Sequence, residues 1–194
     1  MDLKHALIIP GFDERKDERY TELGSVFAAR GIEPYFVPID WPRTDLTRNI
    51  DQFSSYYDRY DRRKTVIFGF SVGAMIALVQ SSVRPPAALI LASLSPWFKE
   101  DIPTRSASHL ALPGHRRMAD YDKYEFSRIA PLVVSTTYIL VGEREARRLR
   151  PLMTRSQAAV ELIPGASLTI VPDAPHDFAH PDYLSALTRI IKGL

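Results

Sequence analysis

The feature that most constrains the fold is the stretch from residue 65 to residue 73, where an apolar run meets a glycine-flanked serine. The run is rich in β-branched side chains and ends in Gly69-Phe70-Ser71-Val72-Gly73. A second apolar run, residues 74–79, follows without an intervening loop. A G-x-S-x-G pentapeptide between a strand and a helix is typical of a strained turn that exposes the serine hydroxyl. We therefore predict a strand, a tight turn and a helix, with Ser71 at the turn.

A serine in this position is suited to nucleophilic chemistry. A free hydroxyl is a weak nucleophile, so it needs a neighbouring base and an accessible position. The flanking glycines are expected because side chains there would collide with the adjacent strand and helix. The start of the helix also leaves N–H groups without intrahelical partners, and one of these can meet a developing oxyanion. Ser71 is the candidate nucleophile.

Composition fits one globular domain over residues 1–194. The chain is 45% hydrophobic and 25% charged, which is ordinary for a protein with a packed core. It has no cysteine, so disulfides, a thiolate nucleophile and a cysteine-based metal site are excluded. The formal net charge is only +2, and the arginines are clustered locally, so nucleic-acid binding is not expected.

The first residues run directly into an apolar segment, residues 6–9, without a long hydrophobic region or a small-residue cleavage site. We therefore expect no signal peptide. No stretch approaches the roughly 18 apolar residues of a membrane span. We expect a cytoplasmic protein without a membrane span, and the sequence leaves its oligomeric state open.

Strand-like and helix-like runs alternate along the chain. The predicted strands cover residues 4–9, 33–38, 65–70, 87–92, 136–141 and 167–171. The predicted helices cover residues 17–29, 46–61, 72–82, about 149–162 and 183–192, the last with Asp182 as its N-cap. Most strands are apolar on both faces, as in a parallel sheet covered by helices on both sides. The pattern predicts an α/β three-layer sandwich with a mainly parallel sheet of about six strands.

Residues 99–135 interrupt this alternation. The segment has mixed charge, several prolines and one predicted short helix near residues 121–129. A long connection without a clear strand is usually functional or mobile. We expect either a small lid over the site or a surface excursion.

A serine nucleophile requires a base, and His176 is the best candidate among the five histidines. It follows the last predicted strand, in the loop formed by residues 172–178. Loops at the carboxyl ends of strands are where α/β folds build their sites. The other histidines are expected to have other roles: His5 inside the first strand, His109 and His115 in the 99–135 segment, and His180 at the start of the final helix.

A carboxylate should orient the histidine and stabilise its cation. The fifth predicted strand ends in Gly142-Glu143-Arg144-Glu145, which offers both Glu143 and Glu145. Asp173 is a further alternative. Asp177, next to the histidine, is expected to make a local loop contact.

Residues 69–73 and 172–178 together resemble the α/β-hydrolase superfamily, and the resemblance covers nearly the whole chain. In that family the acid commonly follows the penultimate strand in a G-x-x-D pattern. Residues 142–145 match the pattern with glutamate in place of aspartate, so the resemblance favours Glu145 over Glu143. The order Ser71, Glu145, His176 also agrees with the family's order of nucleophile, acid and histidine.

The resemblance further implies an oxyanion hole formed by the N–H groups of Val72 and Phe12. Phe12 follows Pro10-Gly11, where many relatives have His-Gly, and Gly11 keeps the close approach that this loop needs. The family's first hairpin is expected to be missing. The chain thus resembles the small, single-domain serine hydrolases and carboxylesterases of the superfamily.

Candidate substrate-binding residues lie at or near the predicted carboxyl ends of strands. They are Gly11, Trp41, Phe70, Trp97 and Phe98, and ordinary packing is the alternative for the aromatic ones. Arginines are concentrated in the same regions: Arg105, Arg116 and Arg117 in the 99–135 segment, and Arg144, Arg147, Arg148 and Arg150 after the fifth strand. Arginine binds carboxylates through a rigid fork, so these side chains indicate either an anionic substrate group or a solvated charged face.

The sequence therefore predicts a serine hydrolase that cleaves an ester or related acyl bond of a small molecule through an acyl-enzyme. No metal and no organic cofactor is implied. Thioester or amide cleavage and transfer to an acceptor other than water would use the same groups. The alternative is a non-catalytic binding or scaffold protein on the same fold with a degenerate triad.

Overall fold

A computed structural model describes residues 2–42, 44–104 and 114–194. Its six strands are β1 (His5–Ile9), β2 (Glu33–Phe36), β3 (Thr65–Phe70), β4 (Ala88–Ala92), β5 (Thr136–Gly142) and β6 (Ser167–Val171). They form one sheet in the order β2-β1-β3-β4-β5-β6, and every pairing is parallel. The predicted parallel α/β architecture of about six strands is confirmed.

The helices of the described residues cover both faces of the sheet. They are α1 (Glu18–Ala28), α2 (Leu46–Tyr57), α3 (Val72–Val83), α4 (Gly114–Tyr121), α5 (Phe126–Ile129), α6 (Glu143–Arg148), α7 (Arg150–Leu162) and α8 (Pro181–Gly193). Helices α1 and α8 pack on one face, and α2, α3 and α7 pack on the other. The result is the predicted three-layer sandwich.

The central strands explain why the sequence shows apolar runs rather than alternation. Every residue of β3 and β4 is buried. Successive side chains of β3 enter opposite cores, with Ile67 in the layer of α3 and Val66 and Phe68 in the layer of α1. A strand covered on both faces gains free energy from apolar side chains at every position.

Element ends differ from the prediction where the backbone changes direction. Helix α2 stops at Tyr57 rather than at residue 61, because the chain turns into the short 3-10 helix Arg62–Lys64 before β3. Helix α8 begins at Pro181 with His180 as its N-cap, which corrects the prediction of Asp182 as the cap. Helix α6 stands where the prediction had only a loop after the fifth strand.

The 99–135 segment also differs from the prediction. A single helix near residues 121–129 was expected, but α4 ends at Tyr121 and a separate short helix, α5, begins at Phe126. Helix α4 is attached to α2 by Asp120, which accepts hydrogen bonds from the N–H and the hydroxyl of Thr47 at 2.8 and 2.7 Å. Arg105 and His109 lie outside the described residues, as does the side chain of His115.

The described helices were also compared with what a membrane span requires. None of those within residues 2–42, 44–104 and 114–194 combines the length and the apolar character needed to cross a membrane.

Candidate active site

Ser71 lies at the turn between β3 and α3. Its backbone has φ 56° and ψ −119°, a strained conformation for a residue with a side chain. The turn is fixed to the neighbouring strand because the Ser71 N–H donates to the carbonyl oxygen of Ala92 at 2.9 Å. The hydroxyl contacts His176 and Ser95 rather than capping the helix.

The two glycines beside this serine are required by close packing. A Cβ on Gly69 would lie 2.7 Å from the Cα of Ala74. A Cβ on Gly73 would lie 2.6 Å from the carbonyl oxygen of Ile9 and would also collide with the backbone of Pro10. Backbone atoms cannot move aside as a flexible side chain can. The strand–turn–helix geometry therefore explains the glycine spacing read in the sequence.

His176 comes from the loop after β6, and its Nε2 lies 3.2 Å from the Ser71 Oγ. Its ring packs against Phe70 with 4.8 Å between ring centroids. The side chain is 44% exposed, so the imidazole is open to the site. A neutral imidazole with its proton on Nδ1 can accept a hydrogen bond from the serine hydroxyl at Nε2.

The carboxylate that contacts the histidine is that of Glu145. Its Oε2 accepts a hydrogen bond from the Nδ1 of His176, and the side chain is only 2% exposed. Glu143 lies elsewhere, where it accepts from the N–H of Asp173 at 3.1 Å and forms an ion pair with Arg147. Of the two glutamates that the sequence offered, the structure brings Glu145 to the histidine.

Two further groups hold the Glu145 carboxylate, and a third acts through one of them. Its Oε1 accepts from the Ser93 hydroxyl at 2.6 Å and from the Gly142 N–H. The Tyr183 hydroxyl lies 2.9 Å from the Ser93 Oγ and 3.1 Å from the carbonyl oxygen of Leu140. Burial and the neighbouring Glu145 charge raise the pKa of Tyr183 well above its ordinary value, so the phenol keeps its proton as a donor.

A second serine lies beside Ser71. The Oγ of Ser95 is 3.1 Å from the Oγ of Ser71, and Ser95 is buried. Sequence reasoning missed both Ser93 and Ser95. The available signal was their position just after β4, because the carboxyl ends of neighbouring parallel strands meet at one edge of the sheet.

The two backbone groups predicted for an oxyanion hole are available. Among the described residues, neither the Phe12 nor the Val72 N–H donates a hydrogen bond. The preceding N–H, that of Gly11, is occupied, since it lies 2.9 Å from the Glu14 carboxylate and 3.0 Å from the Tyr20 hydroxyl. Tyr20 also donates to Glu14, so these two side chains fix the loop.

A cavity of about 480 Å³ opens beside Ser71. The cavity lies on the side of Ser71 where β4 and β5 follow β3 in the sheet. It is lined by the residues that come directly after these two strands. Its apolar walls come from Pro96, Trp97, Leu149, Leu152 and Pro175. Two arginines, Arg144 and Arg148, also line it. Within the described residues, no group of three or more His, Asp or Glu side chains is placed to hold a metal ion.

The other predicted substrate-binding residues occupy different positions. Trp97 lines the cavity. Phe98 is fully buried and Phe70 is 2% exposed, which corrects the expectation that they form a rim around the site. Phe70 supports the His176 ring instead. Trp41 is buried against Phe12, with 5.5 Å between ring centroids, on the opposite side of Ser71 from the cavity.

The two arginines predicted near the site from α4 have partners in the protein. Arg116 forms an ion pair with Asp45 at 3.2 Å. Arg117 donates to the backbone carbonyl oxygens of Trp41 and Thr44, and its guanidinium lies 4.6 Å from the centroid of the Phe12 ring. Arg117 therefore joins α4 to the loop that contains Phe12.

No protein-family model matches the sequence, and no curated protein matches it either. Solved structures do match. Est1E from Butyrivibrio proteoclasticus superposes with a TM-score of 0.83 at 14% identity, covering 99% of this chain and 86% of its own. Mouse α/β hydrolase domain-containing protein 10 gives a TM-score of 0.79 at 12% identity, covering 97% and 88%.

A third similar structure is the dienelactone hydrolase from Anabaena variabilis. Its TM-score is 0.69 at 18% identity, covering 98% of this chain and 84% of that one. Likeness at this level of identity identifies a fold. The chain therefore has the α/β-hydrolase fold, and the fold expected from the resemblance is confirmed.

Proposed function

We propose that the protein is a serine hydrolase that cleaves a carboxylic ester, or a related acyl bond, of a small molecule. The observation that carries this proposal is the continuous contact from Ser71 through His176 to Glu145, with 3.2 Å between the Ser71 Oγ and the His176 Nε2. These are the groups and the order of contacts that nucleophilic acyl transfer requires. The solved structures with the same fold include a dienelactone hydrolase and a lipase-esterase related protein, which supports the general class.

The proposed reaction has two halves. The Ser71 oxygen attacks the substrate carbonyl carbon while His176 takes the hydroxyl proton, and the resulting oxyanion accepts hydrogen bonds from Phe12 and Val72. The intermediate then collapses, His176 gives the proton to the leaving alcohol, and an acyl-serine remains. Water attacks the acyl-serine with His176 as base, which releases the acid and restores Ser71. Glu145 holds the imidazole in the required tautomer throughout.

We also propose that residues 99–135 act as a small lid on one domain formed by residues 1–194. Trp97 lines the cavity and stacks on Tyr121 of α4, with 5.7 Å between ring centroids. Tyr121 is buried, which raises its pKa to about 12 and leaves the phenol neutral against the indole. The segment thus supports one wall of the cavity as well as the loop of Phe12.

A fluorophosphonate probe tests the proposal, since it reacts with activated serines. We expect stoichiometric labelling of the unaltered chain and no labelling of Ser71→Ala. This variant should fold normally, because the substitution removes only one small hydroxyl at a turn. His176→Ala should lower both labelling and kcat for 4-nitrophenyl butyrate by several orders of magnitude. A folded chain that neither labels nor cleaves esters would instead support a non-catalytic binding role.

A further inference from the structure

Two arginines of α6 line the cavity without a counter-ion. Arg144 and Arg148 are four residues apart, which places them on one face of the helix. Within residues 2–42, 44–104 and 114–194, neither forms an ion pair or a side-chain hydrogen bond. The remaining residues contain no aspartate or glutamate, so the protein has no further carboxylate to offer them. A ligand in the cavity can supply that charge.

We propose that the cavity selects esters that carry a carboxylate, and that Arg144 and Arg148 bind this carboxylate. The inference rests on the proposed function for its chemistry but not for the binding itself. The guanidinium fork matches the geometry of a carboxylate and can bind it through two parallel hydrogen bonds. With this subsite, the enzyme would prefer esters that carry a carboxylate over neutral esters of the same size.

The third arginine of the same helix shows the contrast. Arg147 forms an ion pair with Glu143 and lies outside the cavity. Arg147 thus has a counter-ion of its own. The adjacent Arg148 has no carboxylate partner among the described residues. The surface counter-ion is thus paired with the arginine outside the cavity rather than with the two that line it.

The backbone that carries the two arginines is well anchored. The Arg144 N–H donates to the carbonyl oxygen of Ala174 at 3.0 Å, which joins α6 to the loop of His176. Ala146 and Leu152 pack with Val141 in a buried cluster beneath the helix. The backbone positions of the two arginines are therefore fixed beside the cavity, while both side chains are exposed and accessible to a ligand.

Charge in the cavity lining favours a single negative charge on the ligand. The lining holds two guanidinium cations and the Glu145 carboxylate, so with a neutral His176 the sum is +1. A carboxylate monoanion balances this charge, whereas a phosphate dianion exceeds it. The apolar side chains of Trp97, Leu149 and Leu152 line the same cavity and can cover the hydrocarbon that joins the carboxylate to the ester.

Matched esters test the selectivity. 4-Nitrophenyl hydrogen glutarate and 4-nitrophenyl pentanoate differ only in a terminal carboxylate or methyl group. We expect the glutarate ester to be preferred in kcat/KM, with the preference falling about tenfold or more in Arg144→Gln/Arg148→Gln, since charge-assisted hydrogen bonds are lost. The readout is the ratio of the two kcat/KM values within each variant rather than either absolute rate. Arg147→Gln is the control and should keep the full preference.

A second pair covers the leaving group. 4-Carboxyphenyl acetate and 4-methylphenyl acetate place the carboxylate or the methyl on the alcohol instead of the acid. A preference for the charged ester in either pair, lost in the double variant and weakened at high salt, supports the proposal. Equal rates within both pairs, or a preference that survives in the double variant, would overturn it.

Binding without turnover separates this inference from the proposed reaction. Ser71→Ala protein is titrated with glutaric acid monoanilide, pentananilide, N-acetyl-4-aminobenzoic acid and N-acetyl-4-methylaniline, by quenching of tryptophan fluorescence at Trp97 in the cavity. Within one amide pair, tighter binding of the acid that the double substitution abolishes supports the carboxylate subsite even if no ester is cleaved. Equal affinity for the acid and the neutral amide within both pairs contradicts the subsite, whatever the esterase activity.

Discussion

Ser93 donates a 2.6 Å hydrogen bond to the Glu145 carboxylate from a backbone position with a φ of 51°. This residue stands directly after β4, and its hydroxyl faces the start of α6, the helix that follows β5. Ser93 is fully buried, and so is the carboxylate that it contacts. A buried carboxylate is costly unless hydrogen bonds satisfy it, so this contact offsets the burial of the Glu145 side chain and fixes it in position beside His176.

Ser93→Ala should therefore lower kcat by about tenfold or more while the fold persists, because a buried carboxylate loses a donor at a cost of roughly 1–3 kcal/mol. Ser135→Ala is the control, since Ser135 is also buried and donates to the carbonyl oxygen of Pro86 at the opposite end of the sheet. Comparable losses of unfolding free energy with a kcat effect only in Ser93→Ala would identify a positioning role. Equal kcat in both variants would contradict it.

Glu145→Gln should slow turnover far more than Glu143→Gln. The amide at position 145 can present its NH₂ to the Nδ1 of His176, which favours the wrong imidazole tautomer. The corresponding change in a serine protease lowers kcat by about 10⁴. Glu143 pairs with Arg147 at the surface, so its replacement should leave kcat near that of the unaltered chain. Side-by-side kcat values decide the assignment, and a reversed ranking would move the acid to Glu143.

Tyr20→Phe should lower kcat with little change in KM. The Tyr20 hydroxyl and Glu14 hold the Gly11 N–H, and through it the orientation of the neighbouring Phe12 N–H. Loss of one oxyanion donor costs about 10²–10³ in kcat, and a displaced donor should cost less. Tyr57→Phe is the matched control, because this buried hydroxyl has no partner among the described residues. An unchanged kcat in Tyr20→Phe would show that the Tyr20 hydroxyl is not needed to orient the Phe12 N–H.

Gly73→Ala should prevent correct folding or lower the free energy of unfolding substantially, by about 1–3 kcal/mol or more for an overpacked site. The added methyl would overlap the backbone carbonyls of Ile9 and Pro10. Gly193→Ala has nothing within 4 Å of the added Cβ and should be neutral. Urea unfolding of the two variants measures the difference.

Acid should weaken the attachment of α4 to α2. Burial opposes the charge on Asp120, but hydrogen bonds from Lys123 and Thr47 outweigh it and hold the pKa of Asp120 below its ordinary value of 3.8. The folded state therefore favours the ionised form of Asp120. The stability that this carboxylate contributes is fully present above pH 3.8 and is lost as the pH falls through the lowered pKa. Asp120→Asn should be destabilised at pH 7, with the deficit shrinking towards pH 3. The exposed Asp122→Asn should track the unaltered chain, and a constant Asp120→Asn deficit would refute the linkage.

The parts of the fold that could be predicted are those whose cause is local. Each central strand is an uninterrupted apolar run, so the order of strands and helices follows from the sequence. Ser71 carries its own local signal, since both neighbouring glycines are forced by backbone contacts within one strand–turn–helix unit and the loop beside it.

The rest depends on contacts between distant elements. Ser93 and Ser95 reach the site only because β4 ends beside its neighbouring strands at one edge of the sheet, and Tyr183 reaches Ser93 from α8, which is distant in the chain. Helix α6 is short and highly charged, so it shows no apolar period, and it begins where the Glu145 side chain accepts from the Gly142 N–H. Likewise, Phe70 and Phe98 have the composition of a pocket rim, and only the packing of helices over them shows that they are interior.

The position of β6 has a consequence for how the protein loses activity. Ser71 follows a fully buried central strand, whereas His176 follows β6, a partly exposed strand at the margin of the sheet that pairs only with β5. Marginal strands open at lower free energy than central ones. Transient fraying of this margin would withdraw the proton acceptor from an otherwise intact serine turn. Under the proposed function, warming would then end turnover through this edge of the sheet before the core unfolds.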